Sequence, residues 1–236
     1  MKHPDRFAFT LIELLTVIAI IGILAALAIS GVSAARKKAQ QVRCIANLHT
    51  TGVAILAYTE EHKGFLPGPT GLAASGKYTR TDTQVFGWHL AAYLDCTRPE
   101  NLDGQGLVPY LLCPARPADH SIPSYIVQCT LKAADMSNKA PRPFGYQNKT
   151  DETGKPVPYT ELDAIGGPSR IWALIEADQM LGNKTNPATG WNNTSGLPGS
   201  GWYSSLPVTP SHGAGRPTLY FDARVALTKD VPPPLY

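Results

Sequence analysis

The sequence lacks the short motifs by which common enzymes are recognised. Gly-x-Ser-x-Gly, His-Glu-x-x-His and Gly-x-x-x-x-Gly-Lys-Ser/Thr are all absent, so no nucleophile elbow, zinc-protease helix or phosphate-binding loop is indicated. Cys-x-x-Cys is absent as well, and the gaps between the four cysteines match no zinc pattern. We therefore expect a protein that is not an enzyme.

Charge is scarce too. The formal net charge is +3 over 236 residues, which gives no support for a nucleic-acid-binding domain, and we expect no nucleic acid partner. From Leu14 to Ala35 there is no charged residue, and a helix of that length, at about 1.5 Å per residue, crosses a hydrocarbon core of about 30 Å. Arg36-Lys37-Lys38 follows the run in place of a small-x-small cleavage site. The segment is therefore expected to stay in the membrane, in contact with lipid.

One carboxylate, Glu13, stands at the start of this apolar run. A charged side chain near the middle of a bilayer costs about 2.5–3.5 kcal/mol on insertion scales, so a residue of this kind is a functional hypothesis by default. The octapeptide Ala8-Phe9-Thr10-Leu11-Ile12-Glu13-Leu14-Leu15 resembles the prepilin cleavage and methylation motif of type IV pilins and type II secretion pseudopilins. Ala8 stands where that family usually has glycine.

The resemblance implies how the N-terminus is processed and used. A membrane prepilin peptidase would cut between Ala8 and Phe9, remove residues 1–8 as a cytoplasmic leader, and methylate the new amine of Phe9. Glu13 would then be the fifth residue of the mature chain. In a bundle of such helices it could pair with the amine of a neighbouring Phe9 and set the register of assembly. The alternative is a plain signal anchor with Glu13 among the lipid headgroups.

Beyond the membrane segment the apolar pattern becomes amphipathic. Residues 9–35 are expected to form the transmembrane and polymerisation helix, and residues 36–63 its amphipathic continuation, which ends at Gly64. His49 on the apolar face is interpreted as a core histidine. The predicted buried face recurs at steps of three and four residues and comprises Ala39, Val42, Ile45, His49, Val53 and Leu56, widened by Cys44, Leu48 and Ile55.

Residues 64–236 are expected to form a globular head outside the cytoplasm. A helical turn or two is predicted over 88–94, and Arg170–Ala177 is either a strand or a helix. The other predicted strands are Leu107–Cys113, Tyr125–Thr130 and Phe144–Gln147. The predicted fold is therefore α+β and pilin-like, with the long N-terminal helix packed on a small antiparallel sheet that has long loops.

The four cysteines leave two alternatives open. Outside the cytoplasm disulfides are permitted, and four cysteines allow three pairings. The other alternative is that they are small buried side chains with free thiols. These cysteines are Cys44, Cys96, Cys113 and Cys129.

Near the C-terminus His212 is followed after nine residues by Asp222. The spacing resembles the His-x9-Asp-Gly motif of a bacterial pilin-like family abundant in planctomycetes and their relatives, with Ala223 in place of the glycine. Thr218–Phe221 and Arg224–Leu227 are predicted to form a hairpin, closed by a His–Asp hydrogen bond or a backbone cap. A divalent metal, as in the calcium loops of major pseudopilins, and a catalytic pair are the alternatives. No cofactor is expected, with calcium left open.

The prediction for the whole chain is a structural subunit of a type IV pilus-like or type II secretion pseudopilus filament. Its expected partners are copies of itself or related pilins, prepilin peptidase and an inner-membrane assembly platform. It would cross the inner membrane once, with the N-terminus in the cytoplasm and the head in the periplasm or in a filament. The alternative is a minor pseudopilin, or a membrane-anchored binding protein outside the cytoplasm, that does not form the bulk of a filament.

Overall fold

The architecture is α+β, as predicted, with one long N-terminal helix and small antiparallel sheets. In this computed structural model the residues described are 10–116, 122–127, 142–147, 154–182, 206–213 and 215–229. The chain divides into two compact units, Met1–Ala39 and Gln40–Tyr236. Helix α1 runs from Leu11 in the first unit to Glu61 in the second.

In the first unit the large apolar side chains of α1 that the structure describes are exposed, among them Leu11 at 83 % and Leu27 at 68 %. The helix is long and apolar enough, by length and composition, to cross a membrane. An apolar surface on all sides of a helix is stable when hydrocarbon or other apolar helices surround it. The other exposed apolar residues of this unit are Ile12, Leu14, Leu15, Val17, Ile18, Ile20, Ile21, Ile23, Leu24 and Val32.

Helix α1 ends where the sequence predicts. Glu61 is its last residue, and Gly64 follows with φ of +83°, the left-handed conformation that glycine adopts without strain. The Gly64 N–H donates to the carbonyl of Thr59 at 2.9 Å, which satisfies one of the free carbonyls at the helix end.

The buried face of α1 differs from the predicted one. Cys44, Leu48 and Ile55 are fully or almost fully buried, whereas Val42 and Val53 are about half exposed, at 55 % and 50 %. Both of these faces of α1 are apolar in sequence, so periodicity alone could not tell which one is buried. The sheet covers only the face that carries Cys44, Leu48 and Ile55. His49 lies on the uncovered side and is exposed, so its interpretation as a core histidine is wrong.

Among the residues that the structure describes, the head contains two antiparallel sheets and two short α-helices. The strands of the larger sheet are ordered β3-β4-β5-β6, and β1 pairs with β2 in the smaller sheet. The short helices are α2 (Phe86–Leu90) and α3 (Thr160–Ile165). The strands are β1 (Lys77–Thr79), β2 (Gln105–Leu107), β3 (Tyr125–Val127), β4 (Trp172–Glu176), β5 (Arg216–Tyr220) and β6 (Val225–Thr228).

Both faces of the larger sheet are covered. Leu174 and Leu219 join the main core with Leu48 of α1, while Trp172 and Ile175 belong to a second apolar cluster. All five residues of β4 are buried, which explains why its sequence is continuously apolar and could also be interpreted as a helix. The structure resolves that ambiguity in favour of the strand.

Several predicted elements of the head need correction. The strand predicted over Leu107–Cys113 ends at Leu107, and a 3₁₀ turn at Pro109–Leu111 follows because proline cannot donate to a ladder. Residues 144–147 form no strand, and Gly145 has φ of +63°. The strand predicted over Tyr125–Thr130 is confirmed as Tyr125–Val127, its remainder lying outside the described residues. The helical turns over 88–94 are confirmed by α2 and a 3₁₀ turn at Ala91–Tyr93.

The predicted C-terminal hairpin is confirmed, with a wider turn than two residues. The Tyr220 N–H donates to the Arg224 carbonyl at 2.8 Å, so three residues form the loop between β5 and β6. Ala223, the last of them, has φ of +65°. A three-residue loop commonly requires a left-handed residue at this position, where glycine would be unstrained.

Candidate functional site

Helix α1 begins with a reciprocal cap. The Thr10 N–H donates to Glu13 Oε2 at 2.8 Å, and the Glu13 N–H donates to Thr10 Oγ1 at 3.3 Å. The Thr10 hydroxyl also donates to the same carboxylate oxygen, at 2.6 Å. This is the Thr-x-x-Glu capping box, which satisfies N–H groups that a helix N-terminus otherwise leaves free. The predicted processing residues Ala8 and Phe9 lie outside the described residues.

Two glycines lie on the open surface of the apolar part of α1. A Cβ added at Gly22 or Gly31 would meet no atom within 4 Å. Neither glycine is therefore needed for close packing among the described residues. Small residues let helices approach one another closely in membranes, and this surface has no bulk at the two glycines to prevent such an approach.

The structure places the two residues of the C-terminal motif in different environments. Asp222 lies in the hairpin turn, where its Oδ1 accepts a hydrogen bond from the Arg224 N–H at 3.1 Å. His212 lies before β5, with its Nε2 3.2 Å from the Sγ of Cys113. Within the described part of the chain no hydrogen bond joins His212 to Asp222. The motif thus supplies a backbone cap through Asp222, and His212 contacts a thiol.

His212 belongs to a cluster that the sequence analysis did not predict. The Sγ atoms of Cys44 and Cys113 and a ring nitrogen of His212 all lie within 4.8 Å of one another. Cys44 comes from α1, Cys113 follows the 3₁₀ turn at Pro109–Leu111, and His212 precedes β5. Both cysteines are buried, and both are free thiols.

A buried carboxylate adjoins the cluster. Glu176, the last residue of β4, is 0 % exposed, and its Oε1 lies 3.8 Å from Cys113 Sγ. The Ser211 N–H donates to the same Oε1 at 3.3 Å, whereas Glu176 Oε2 has no hydrogen-bond partner among the described residues. An unpartnered buried carboxylate oxygen is unusual, because its desolvation is uncompensated.

Neighbouring groups hold the cluster in place. The hydroxyl of buried Tyr125 lies 2.8 Å from Cys44 Sγ, and the Cys113 N–H donates to Ser124 Oγ at 2.9 Å. Both of these neighbours lie at or next to the start of β3, so the sheet orients the two thiols. The third cysteine described, Cys96, points to the Leu94 carbonyl instead, and Cys129 lies outside the described residues.

Interactions within the cluster favour the charged forms of Cys113 and His212 and disfavour those of Cys44 and Glu176, as the pKa shifts of the four groups indicate. The hydrogen bond with Cys44 lowers the pKa of the Cys113 thiol, and the hydrogen bond with His212 lowers it further. Burial acts in the opposite direction but is outweighed. The same hydrogen bond, together with burial, raises the pKa of Cys44. Burial, followed by the charge of Cys113, raises the pKa of Glu176 to about 7. Burial acts to lower the pKa of His212, but the hydrogen bond to Cys113 and the charges of Cys113 and Glu176 together raise that pKa.

The sequence could hardly have revealed this cluster. The sulfur-bearing residues and the histidine are far apart along the chain, since Cys113 and His212 are separated by 99 positions in sequence. Zinc patterns are recognised in sequences by pairs of ligands a few residues apart, and no such pair occurs here. The one sequence signal was His212 itself, which the C-terminal motif singled out.

Comparison with known proteins identifies one family match. Residues 4–29 match the family described as "Prokaryotic N-terminal methylation motif". No curated protein and no solved structure matches the chain. The match covers the apolar start of α1, including Glu13, and supports a type IV pilin-like precursor with a membrane-anchoring N-terminal helix. Proteins with this motif are structural subunits, so the match also favours a structural role over an enzymatic one.

Proposed function

We propose that this protein is a filament subunit of a type IV pilus-like or type II secretion pseudopilus assembly. Prepilin peptidase cuts it between Ala8 and Phe9 and methylates Phe9, and an inner-membrane platform then assembles it with copies of itself or related pilins. The N-terminus faces the cytoplasm and the head lies in the periplasm or in the filament. The observation that carries this proposal is the methylation motif at residues 4–29, placed directly on an exposed apolar helix.

In the proposed filament Glu13 has two successive roles. In the structure its carboxylate is occupied by Thr10 of the same chain. Once cleavage leaves an amine at Phe9, a neighbouring subunit offers the carboxylate a positive charge in a medium of low dielectric. The intermolecular pair then fixes the axial register of one helix against the next.

N-terminal processing is the first test. The full chain is co-expressed with a prepilin peptidase, extracted from membranes, and its N-terminus and intact mass are determined. The expected product begins at methylated Phe9 and lacks residues 1–8. Recovery of the chain with residues 1–8 still attached, while a known prepilin in the same cells is cut, would refute the proposal.

Assembly is tested with two substitutions of Glu13. Glutamine can still form the back-bond of a capping box but carries no charge, whereas alanine provides neither. We expect Glu13→Gln and Glu13→Ala both to be processed and both to be lost from sheared or cross-linked filaments. If Glu13→Gln assembles normally, the carboxylate serves the cap only, and the proposed pairing between subunits is wrong.

A minor subunit and a non-polymerising anchored protein are the other functions to distinguish. The exposed apolar helix suits either of them, because both also need a membrane segment. Quantification of the processed protein in isolated filaments separates them. A bulk subunit dominates the filament mass, a minor one is present in small ratio, and an anchored protein stays with the membrane fraction.

A further inference from the structure

We propose that Cys44, Cys113 and His212 bind a structural zinc ion in the head, with Glu176 as the fourth ligand. The four residues converge from four separate segments: helix α1, the loop after Pro109–Leu111, the loop before β5, and the end of β4. A metal at this point would fasten α1 to the larger sheet. This site is independent of the proposed filament function.

The interatomic distances suit a tetrahedral ion. With Zn–S of about 2.3 Å and Zn–N or Zn–O of about 2.0–2.2 Å, ligand atoms in a tetrahedron lie about 3.5–3.8 Å apart. The structure has 3.2 Å from Cys113 Sγ to His212 Nε2 and 3.8 Å from Cys113 Sγ to Glu176 Oε1. The Cys44 sulfur lies within 4.8 Å of the first two ligands. Glu176 lies outside this 4.8 Å group, so its carboxylate has to move towards the ion to complete the coordination shell.

The unsatisfied carboxylate is the independent sign that a cation belongs here. Glu176 is 0 % exposed, and its Oε2 has no partner among the described residues. Arg116, the cation that acts on it electrostatically, donates from its two Nη atoms to the carbonyls of Pro123 and Ala177, and its Nε has no hydrogen-bond partner among the described residues. Unpartnered polar atoms are costly in a buried site, and a divalent ion bound here would give the two sulfurs, the imidazole and the carboxylate a common partner.

The ligand types select the metal. Two thiolates and one imidazole are the soft and borderline ligands of zinc, and a set of four protein ligands is typical of closed, structural zinc sites. Calcium takes six to eight oxygen ligands, of which this cluster offers one carboxylate. Neighbouring groups also orient two of the proposed ligands, as is usual around metal sites. Tyr125 lies at hydrogen-bond distance from Cys44 Sγ, and the Ser211 N–H donates to Glu176 Oε1.

The test is metal binding by the full chain, purified in detergent under reducing conditions. Zinc alone is added, unbound metal is removed, and the bound zinc is counted, with calcium as the comparison ion. We expect one zinc per chain and no retained calcium. Cobalt in place of zinc should give the thiolate-to-metal charge-transfer band and the visible bands of a tetrahedral cobalt site. A reduced wild-type chain that binds no zinc, or shows no thiolate band with cobalt, would overturn the proposal.

Variants locate the site. Cys113→Ser and His212→Gln should each abolish stoichiometric zinc binding, whereas Cys96→Ser, which changes a thiol outside the cluster, should retain it. Tyr125→Phe, which removes a neighbouring hydroxyl but no ligand, should weaken zinc binding about 10–100-fold. Undiminished binding in both Cys113→Ser and His212→Gln would place the metal elsewhere and refute this site.

Two further measurements do not depend on the variants folding. In the wild-type chain, zinc should raise the thermal unfolding midpoint of the head, and a chelator should reverse the increase. Peptide mapping of the protein as isolated from membranes should show Cys44 and Cys113 as thiols. A Cys44–Cys113 disulfide in that material would mean that the two sulfurs form a covalent cross-link in place of a zinc site.

Discussion

Gly52 of helix α1 packs directly against Ala223 in the turn of the last hairpin. A Cβ placed on Gly52 would lie 2.8 Å from the Cα of Ala223 and 2.9 Å from its Cβ. Leu219 Cδ1 would be just as close, at 2.8 Å. Only glycine at position 52 permits this approach of the helix to the β5–β6 hairpin, and the hairpin closes the main core over α1.

This contact predicts that Gly52→Ala destabilises the head. Alanine favours a helix by about 1 kcal/mol over glycine, but the added methyl overpacks a site bounded by backbone, which costs typically about 1–3 kcal/mol. We expect the steric term to dominate and the unfolding midpoint to fall. Gly31→Ala is the matched control, because a Cβ there meets nothing within 4 Å. Equal effects of the two substitutions on the midpoint would contradict the packing argument.

A second substitution tests whether the clash involves Ala223. In the Gly52→Ala background, Ala223→Gly removes the opposing Cβ and also frees a position that has φ of +65°. The double variant should therefore recover part of the stability that Gly52→Ala loses. A double-mutant cycle on the unfolding free energy measures the coupling, and additivity of the two changes would show that the residues do not oppose each other.

The ion pair between Asp178 and Arg216 is buried and bidentate. Arg216 Nε lies 2.5 Å from Asp178 Oδ2, Nη2 lies 3.0 Å from Oδ1, and the two side chains are 6 % and 0 % exposed. Removing one partner of such a pair strands the other charge in the core, at a cost of about 3–5 kcal/mol. Arg216→Ala should therefore lower the unfolding free energy severely.

The matched control for that prediction is an exposed ion pair. Arg98 and Glu100 are 4.0 Å apart with side chains more than 60 % exposed, at 63 % and 62 %. Pairs of this kind contribute about 0–1 kcal/mol, so Arg98→Ala should change the unfolding free energy little. Denaturant titration of both variants measures the difference in unfolding free energy. A small decrease in Arg216→Ala would mean that other groups stabilise the buried Asp178 carboxylate.

Protonation of the buried His89 is expected to destabilise the head in acid. Burial lowers the pKa of His89 to about 4, although its contact with the Pro69 carbonyl acts in the opposite direction. The unfolded chain binds the proton below about pH 6.5, whereas the folded chain resists it until about pH 4. The contribution of His89 to the unfolding free energy of the head is therefore greatest above pH 6.5. It falls by about 3 kcal/mol as the pH drops from 6.5 to 4.

The pH dependence is measured against a variant that cannot titrate at this position. In His89→Gln the fall in unfolding free energy between pH 6.5 and pH 4 should be smaller than in the wild type by that amount. His49→Gln, a change on the exposed side of α1, should keep the wild-type dependence. Parallel curves for the wild type and His89→Gln would show that another group controls the acid transition.

Local chemistry allowed the sequence to predict most of the helical architecture. Glycine at position 64 ends α1 because its left-handed conformation is free of strain there. Two β-prone runs separated by two residues predicted the β5–β6 hairpin but did not fix the width of its turn, since Ala223 adopts a conformation that its side chain disfavours. The strand predicted over Leu107–Cys113 ended early because Pro109 interrupts it.

By itself the sequence determined the long apolar N-terminal helix and its methylation motif, because both depend on residues that are consecutive along the chain. Only the tertiary structure decided which face of α1 is buried, since two apolar faces compete and the sheet covers just one of them. The tertiary structure also brings Cys44, Cys113 and His212 together, because these residues belong to distant segments that meet only when the sheet packs on the helix. No spacing along the chain encodes that proximity.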